Sequence, residues 1–128
     1  MSVHATAEQA NRIFLDASEA ALNDATFAAV LKEFDFALQL VLTDPQVALR
    51  IDKDGVLEGA PSPATVRLEG ETDALHSILL GQLSIPQAIV AHRLVVKGQV
   101  SSVRKLAALL PVLGREYYGR VSQGTQTA

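Results

Sequence analysis

The stretch GQLSIPQAIVAHRLVVKGQ, from Gly81 to Gln99, decides how the chain is read. It holds a glycine stop, a serine and a proline that open a helix, and a strand that closes on a second glycine. Ser84 can accept a hydrogen bond from a backbone N–H of the first turn, and Pro86 stands where its missing N–H costs nothing. Ile85, Ala88 and Ile89 read as the inward residues of this two-turn helix. Arg93 to Lys97 reads as the last strand, broken by Gly98. No residue in the stretch is an obvious catalyst, so its specificity lies in how it arranges apolar surface.

Upstream of it, Ala64, Val66 and Leu68 alternate with Thr65, Arg67 and Glu69, the period of a half-buried strand. Thr72 is placed to cap the helix that follows, Leu75, Ile78 and Leu79 form its apolar stripe, and Gly81 ends it. The segment Ala60 to Pro63, APSP, is a stiff loop whose prolines block strand pairing. Before it, QVALRIDKDGVLEG alternates Val47, Leu49 and Ile51 with Ala48, Arg50 and Asp52, then turns at Asp54-Gly55 into a returning strand. Phe36, Leu38, Leu40 and Leu42 define a strand that ends at Asp44-Pro45. Further back the period is 3.6: Ile13, Phe14, Ala17, Ala20 and Ala21 mark a helix over 5–22. Asn23 or Asp24 caps a second helix that carries Phe27, Val30, Leu31 and Phe34 and ends near Glu33.

Downstream, Ser101 or Ser102 starts the final helix. Val103, Ala107, Leu110, Gly114 and Tyr117 step by four and three, and Leu106, Leu109 and Leu113 widen this stripe beyond a coiled-coil seam. Pro111 removes a helical hydrogen bond, which predicts a kink or break there. Residues 121–128 read as a disordered polar tail.

A chain of 128 residues is a single domain, here 1–120, with one core. Its 48% hydrophobic content is reached without counting glycine, more than a domain of this size needs to hide. The surplus fits a dimer interface, a ligand cavity or simple alanine richness. There is no cysteine, hence neither disulfide nor thiolate chemistry. With no leader pattern and no apolar run of membrane-spanning length, a soluble cytoplasmic protein is expected. The net charge of −3 argues against nucleic acid, yet six of the eleven Lys/Arg fall in 93–128 with Glu116 as the only carboxylate there. Arg104 and Arg115, on nearly the same side of one helix, could steer this segment to an anionic membrane or an acidic partner.

Catalytic signatures are missing. His4, His76 and His92 have no metal-ligand spacing, and Ser77, Ser84, Ser101 and Ser102 lie in no nucleophile-elbow setting. Asp52 with Asp54, and Glu69 with Glu71 and Asp73, flank turns and helix starts, where carboxylates have structural work. The single glycines form no phosphate-cradling loop. No cofactor, no metal and no enzymatic activity are expected.

The run ATVRLEG, ALHSILLG, SIPQAIVAHR, LVVKG and SSVRKLAALL, with the hairpin before it, resembles the sterol carrier protein type 2 (SCP-2-like) lipid-binding domain over roughly residues 25 to 118. Thr65, and Ile89 with Val90 in place of paired aromatics, depart from the family pattern and leave the ligand open. The resemblance implies a stand-alone bacterial-type member with an α+β fold: a five-stranded mixed, largely antiparallel sheet, covered on one face by helices around an apolar tunnel. It also implies non-covalent binding of a fatty acid, acyl-CoA, phospholipid, sterol or isoprenoid quinone precursor. Matched positions imply a lipid-binding wall of Val66, Leu68, Leu79, Leu83, Ile85, Ile89, Leu106, Leu109, Leu110 and Leu113, to which periodicity adds Phe34, Leu38 and Leu40. A partner enzyme that receives the ligand is implied too. The alternative is a dimerisation or protein-interaction module of the same fold without a physiological lipid.

Overall fold

The computed structural model describes residues 6–59 and 64–127, with side chains to Val121; the APSP loop lies outside the described residues. Eleven elements follow in order: α1 (Ala7–Ala21), α2 (Ala25–Glu33), β1 (Leu38–Thr43), β2 (Val47–Asp52), β3 (Gly55–Glu58), β4 (Val66–Glu71), α3 (Thr72–Leu79), α4 (Ile85–Val90), β5 (Leu94–Lys97), α5 (Val100–Val103) and α6 (Leu106–Thr127). The five strands form one sheet in the order β3-β2-β1-β4-β5. Only β1 and β4 run parallel, with Leu38 opposite Val66 and Leu40 opposite Leu68. The expected mixed, largely antiparallel sheet is therefore present.

Alternation sets the two faces of the sheet. Leu38, Leu40, Leu42, Val47, Leu49, Ile51, Val66 and Leu68 are all fully buried, α1 packs against the sheet, and α6 packs in turn on α1, α2 and α3. The other face carries Arg50, Gln39, Arg67 and Lys97 in register across four strands. Asn11 pins α1 to the sheet: its amide donates to the Gln46 carbonyl at 2.7 Å and its side-chain oxygen accepts from the Ala48 N–H at 3.3 Å. Phe14 of α1 stacks on Tyr117 of α6 at 4.8 Å between ring centroids, and both rings are fully buried.

Local chemistry explains most helix ends. Asp24 caps α2 by accepting from the N–H groups of Thr26 and Phe27 at 2.9 and 3.0 Å. The Phe27 N–H in particular, with Arg115 nearby, holds its carboxyl below the usual range. Ser84 and Gln87 form a reciprocal capping box on α4, and Pro86 occupies its first turn. Gly81, at φ +76°, ends α3 in the left-handed conformation that glycine alone adopts without strain.

Three expectations need correction. Thr72 is not the cap of α3 but its first residue, and Glu71 stands at the cap without a side-chain bond. The Thr72 hydroxyl instead donates to the Pro45 carbonyl at 2.6 Å and ties the start of α3 to the β1–β2 turn. A local cap lost here to a tertiary acceptor. Since Thr72 is fully buried, Thr72→Val should orphan that carbonyl and cost about 1–2 kcal/mol, read as a lower urea midpoint at unchanged m-value.

The final helix does break, but at Arg104 and Lys105, between α5 and α6, and α6 runs on through Pro111. After the break the first turn of α6 is tight, with the Ala107 and Ala108 N–H groups reaching back to the Arg104 and Lys105 carbonyls. Pro111 therefore falls early in a new helix, and the carbonyl it leaves without a donor is that of Ala107, an exposed residue. Finally, the expected tail from 121 continues α6 as helix up to Thr127.

Candidate functional site

Four helices meet where α3 ends, α4 and α5 pass and α6 begins, and they leave an apolar groove of about 540 Å³. Ile78, Leu79 and Gly81 contribute from α3 and its end, Ile85 from α4, and Val103 from α5; Arg104 and then Leu106, Ala107, Leu110 and Pro111 complete the wall. Nine of these ten residues are apolar or glycine, and Arg104 is the one that carries charge. The apolar space is an open groove, whereas an internal tunnel was expected.

Each wall element is fixed by its own local signal. Gly81 turns the chain out of α3, and the Ser84 box starts α4 after only two more residues, so Ile85 leans back toward α3. The α5–α6 break falls between Val103 and Leu106, and both line the groove. Gly114 lies against the end of α3, whose Leu79 lines the groove. A Cβ there would stand 2.5 Å from the Leu79 carbonyl oxygen, so α6 can lie on the end of α3 only because the residue has no side chain.

The structure brings Leu79, Ile85, Leu106 and Leu110 of the expected wall together at the groove. Leu83 packs half-buried against the core beside it. Leu38, Leu40, Val66, Leu68, Leu109 and Leu113 lie behind the groove in the core, at most 2% exposed, where they touch protein on all sides. Phe34 does not line the groove. It is 50% exposed, and the Lys105 ammonium sits 4.3 Å above its ring. Ile89, expected inward, is 44% exposed: α4 is six residues long and buries only Ala88. Ile78, Val103 and Ala107 were missed, although their spacing from Leu75, Leu110 and Gly114 already put them on the same apolar stripes.

Arg115 does not join Arg104 in a basic membrane-facing stripe. It lies beyond the helix break and pairs with Asp24 at 3.3 Å and Glu116 at 3.2 Å. On the uncovered sheet face, Glu69 sits between Lys97 at 2.7 Å and Arg67 at 3.3 Å. The hydrogen bond from Lys97, with the charge of Arg67, lowers its pKa and makes it a poor general acid. A polar hollow of about 210 Å³ at the edge of that face is lined by Arg50, Asp52 and Lys53, which are engaged in ion pairs of their own. Among the described residues no group of histidines and carboxylates is arranged to hold a metal.

Behind the groove, the Tyr117 hydroxyl meets His76 Nδ1 at 2.7 Å. Burial raises the phenol's pKa and lowers that of the imidazole, while Asp73 opposes the shift on His76. The phenol therefore keeps its proton and the imidazole is held neutral. Because the folded pKa of His76 lies below the ordinary 6.5, the unfolded chain takes up its proton first as pH falls. Stability should be level above about pH 6.5 and decline below it. In urea titrations across pH, His76→Gln should flatten this decline, and an unchanged slope would contradict the assignment.

An apolar concavity on an α+β scaffold, with one polar group at its mouth, is the kind of site that takes hydrophobic small molecules. Residues 11–111 match the model of the SCP-2 sterol transfer family, and the chain belongs to that family. Its fold is similar to that of Sterol Carrier Protein 2 from Yarrowia lipolytica in the apo form, with 21% identity, a TM-score of 0.63 and coverage of 89% of this chain and 98% of that one. It is also similar to the sterol carrier protein domain 2 of Helicoverpa armigera, with 15% identity, a TM-score of 0.64 and coverage of 80% and 86%. No curated protein matches the chain by sequence. Among the described residues no helix is long and apolar enough to cross a membrane.

Proposed function

We propose that the chain is a non-enzymatic, cytoplasmic lipid carrier that shields one hydrophobic ligand in the groove between α3, α4, α5 and α6. It would present that ligand to a partner enzyme or a membrane. The observation that supports this reading best is the groove itself, about 540 Å³ with an almost wholly apolar wall, in a chain of the SCP-2 sterol transfer family. The ligand classes are those of the family resemblance: fatty acid, acyl-CoA, phospholipid, sterol or isoprenoid quinone precursor. Leu79, Ile85, Leu106 and Leu110 contact the ligand, with Ile78, Val103 and Ala107 beside them.

Covering about a dozen methylenes yields roughly 10 kcal/mol gross at ~0.8 per CH₂, and the costs of ordering and association reduce that substantially. Micromolar or tighter affinity follows. Native mass spectrometry of the protein purified from cells without detergent should show a co-purified lipid, or a stoichiometric adduct after loading with a long-chain fatty acid. Repeated failure of both would count decisively against a carrier.

A second reading, an interaction module, is favoured by exposed apolar side chains next to the wall: Val90 at 79% and Val100 at 71%. Sedimentation over a wide concentration range separates the two. A dimer that takes up no lipid favours the module, and a lipid-bound monomer favours the carrier.

A further inference from the structure

Most cations among the described residues are already engaged with carboxylates. Among the described residues, Arg12, Arg50, Lys53, Arg67, Arg93, Lys97, Arg115 and Arg120 each stand within ion-pair distance of a carboxylate. Lys105 lies over the Phe34 ring and donates to the Ser101 carbonyl. Neither Lys32 nor Arg104 stands within ion-pair distance of a carboxylate there, and Arg104 is the charged residue that lines the apolar groove.

Its place in the chain makes this informative. Arg104 is the C-cap of α5 just before α6, so its backbone stands between two helices while its exposed side chain lines the groove. A guanidinium offers several donors in a planar fork that matches a carboxylate. No acidic side chain lines the groove to compete for it. An apolar wall ending in one unpaired cation is complementary to an amphiphile with one apolar chain and one anionic head.

Building on the carrier reading, we propose that Arg104 anchors the carboxylate of a long-chain fatty acid whose hydrocarbon tail fills the groove, and that it sets a preference for anionic over neutral amphiphiles. In this arrangement the tail supplies most of the affinity and the arginine supplies the selectivity and the orientation, head outward at the α5–α6 bend.

The test compares palmitate with hexadecanol, which share a chain and differ in the head, by calorimetric titration of the full chain at low salt. The wild-type protein should bind palmitate about tenfold more tightly than the alcohol, a modest factor because the pair is exposed to solvent. Arg104→Gln should erase this preference, lowering palmitate affinity about tenfold more than hexadecanol affinity, whereas Arg104→Lys should retain part of it. Equal binding of the two compounds by the wild type, or a preference that survives in Arg104→Gln, overturns the inference and leaves the carrier intact. If neither compound binds, the inference is overturned, and the carrier reading stands or falls by native mass spectrometry of the protein purified from cells. If Arg104→Gln keeps the palmitate preference but weakens adsorption to phosphatidylserine vesicles, Arg104 serves a bilayer and the inference is again overturned.

Discussion

Replacing Gly114 by alanine is expected to destabilise the protein by about 2 kcal/mol, although alanine is the better helix former by roughly 1 kcal/mol. The sign is inverted by tertiary contact. A methyl group at this position would lie 2.5 Å from the Leu79 carbonyl oxygen, and that obstacle is backbone that cannot swing aside. Either α6 lifts off α3 or the end of α3 distorts, and both disturb the groove wall at Leu79. Gly119, five residues on in the same helix, has no atom within 4 Å of where its Cβ would be. Gly119→Ala should therefore stabilise by up to about 1 kcal/mol. The pair is a controlled experiment, since the two sites share helix and substitution and differ only in what stands opposite. Urea denaturation of both variants checks it, and equal shifts of the midpoint in one direction would refute the proposed close approach.

The second large effect is on binding. Ala107 lines the groove but is exposed to solvent, so a larger side chain there fills the space a ligand needs without entering the core. Ala107→Trp should reduce affinity for a long-chain fatty acid by about a hundredfold or more, because an indole displaces several methylenes at ~0.8 kcal/mol each. Thermal stability should stay near that of the wild type. Calorimetry and a melting curve on the same sample test both halves. Retained affinity in a folded Ala107→Trp protein would place the ligand elsewhere.

Much of this architecture is legible in the sequence because it rests on local chemistry. The alternation of Leu38, Leu40 and Leu42 and of Val47, Leu49 and Ile51 is enough by itself to name the buried face of the sheet. Ser84 with Pro86, and Gly81 before them, mark α4 and the end of α3 for the same reason: caps and left-handed glycines act within a few residues of themselves. What escapes is what depends on a distant partner. Thr72 looks like a cap, and only the Pro45 carbonyl, brought close by the parallel pairing of β1 with β4, diverts its hydroxyl. Gly114 reads as one more small residue on an apolar stripe, since nothing local announces the Leu79 backbone opposite it.

The groove was legible only in outline. Leucines such as Leu106, Leu109, Leu110 and Leu113 sit on one broad stripe, and periodicity does not say which of them face a ligand and which face the sheet. The bend at Arg104 and Lys105 makes that division: it leaves Leu106 and Leu110 at the groove and sends Leu109 and Leu113 into the core. A proline seven residues later attracted the expectation of a break, although the chain had already turned.

The central claim, that a hydrophobic ligand occupies the groove bounded by α3, α4, α5 and α6, is most directly tested by methyl NMR of isotope-labelled protein titrated with palmitate. Saturable shifts are expected at Ile78, Leu79, Ile85, Val103, Leu106 and Leu110, with much smaller changes at Val41 and Val95 on the uncovered sheet face. No saturable shifts, or shifts concentrated on the uncovered face, would contradict it.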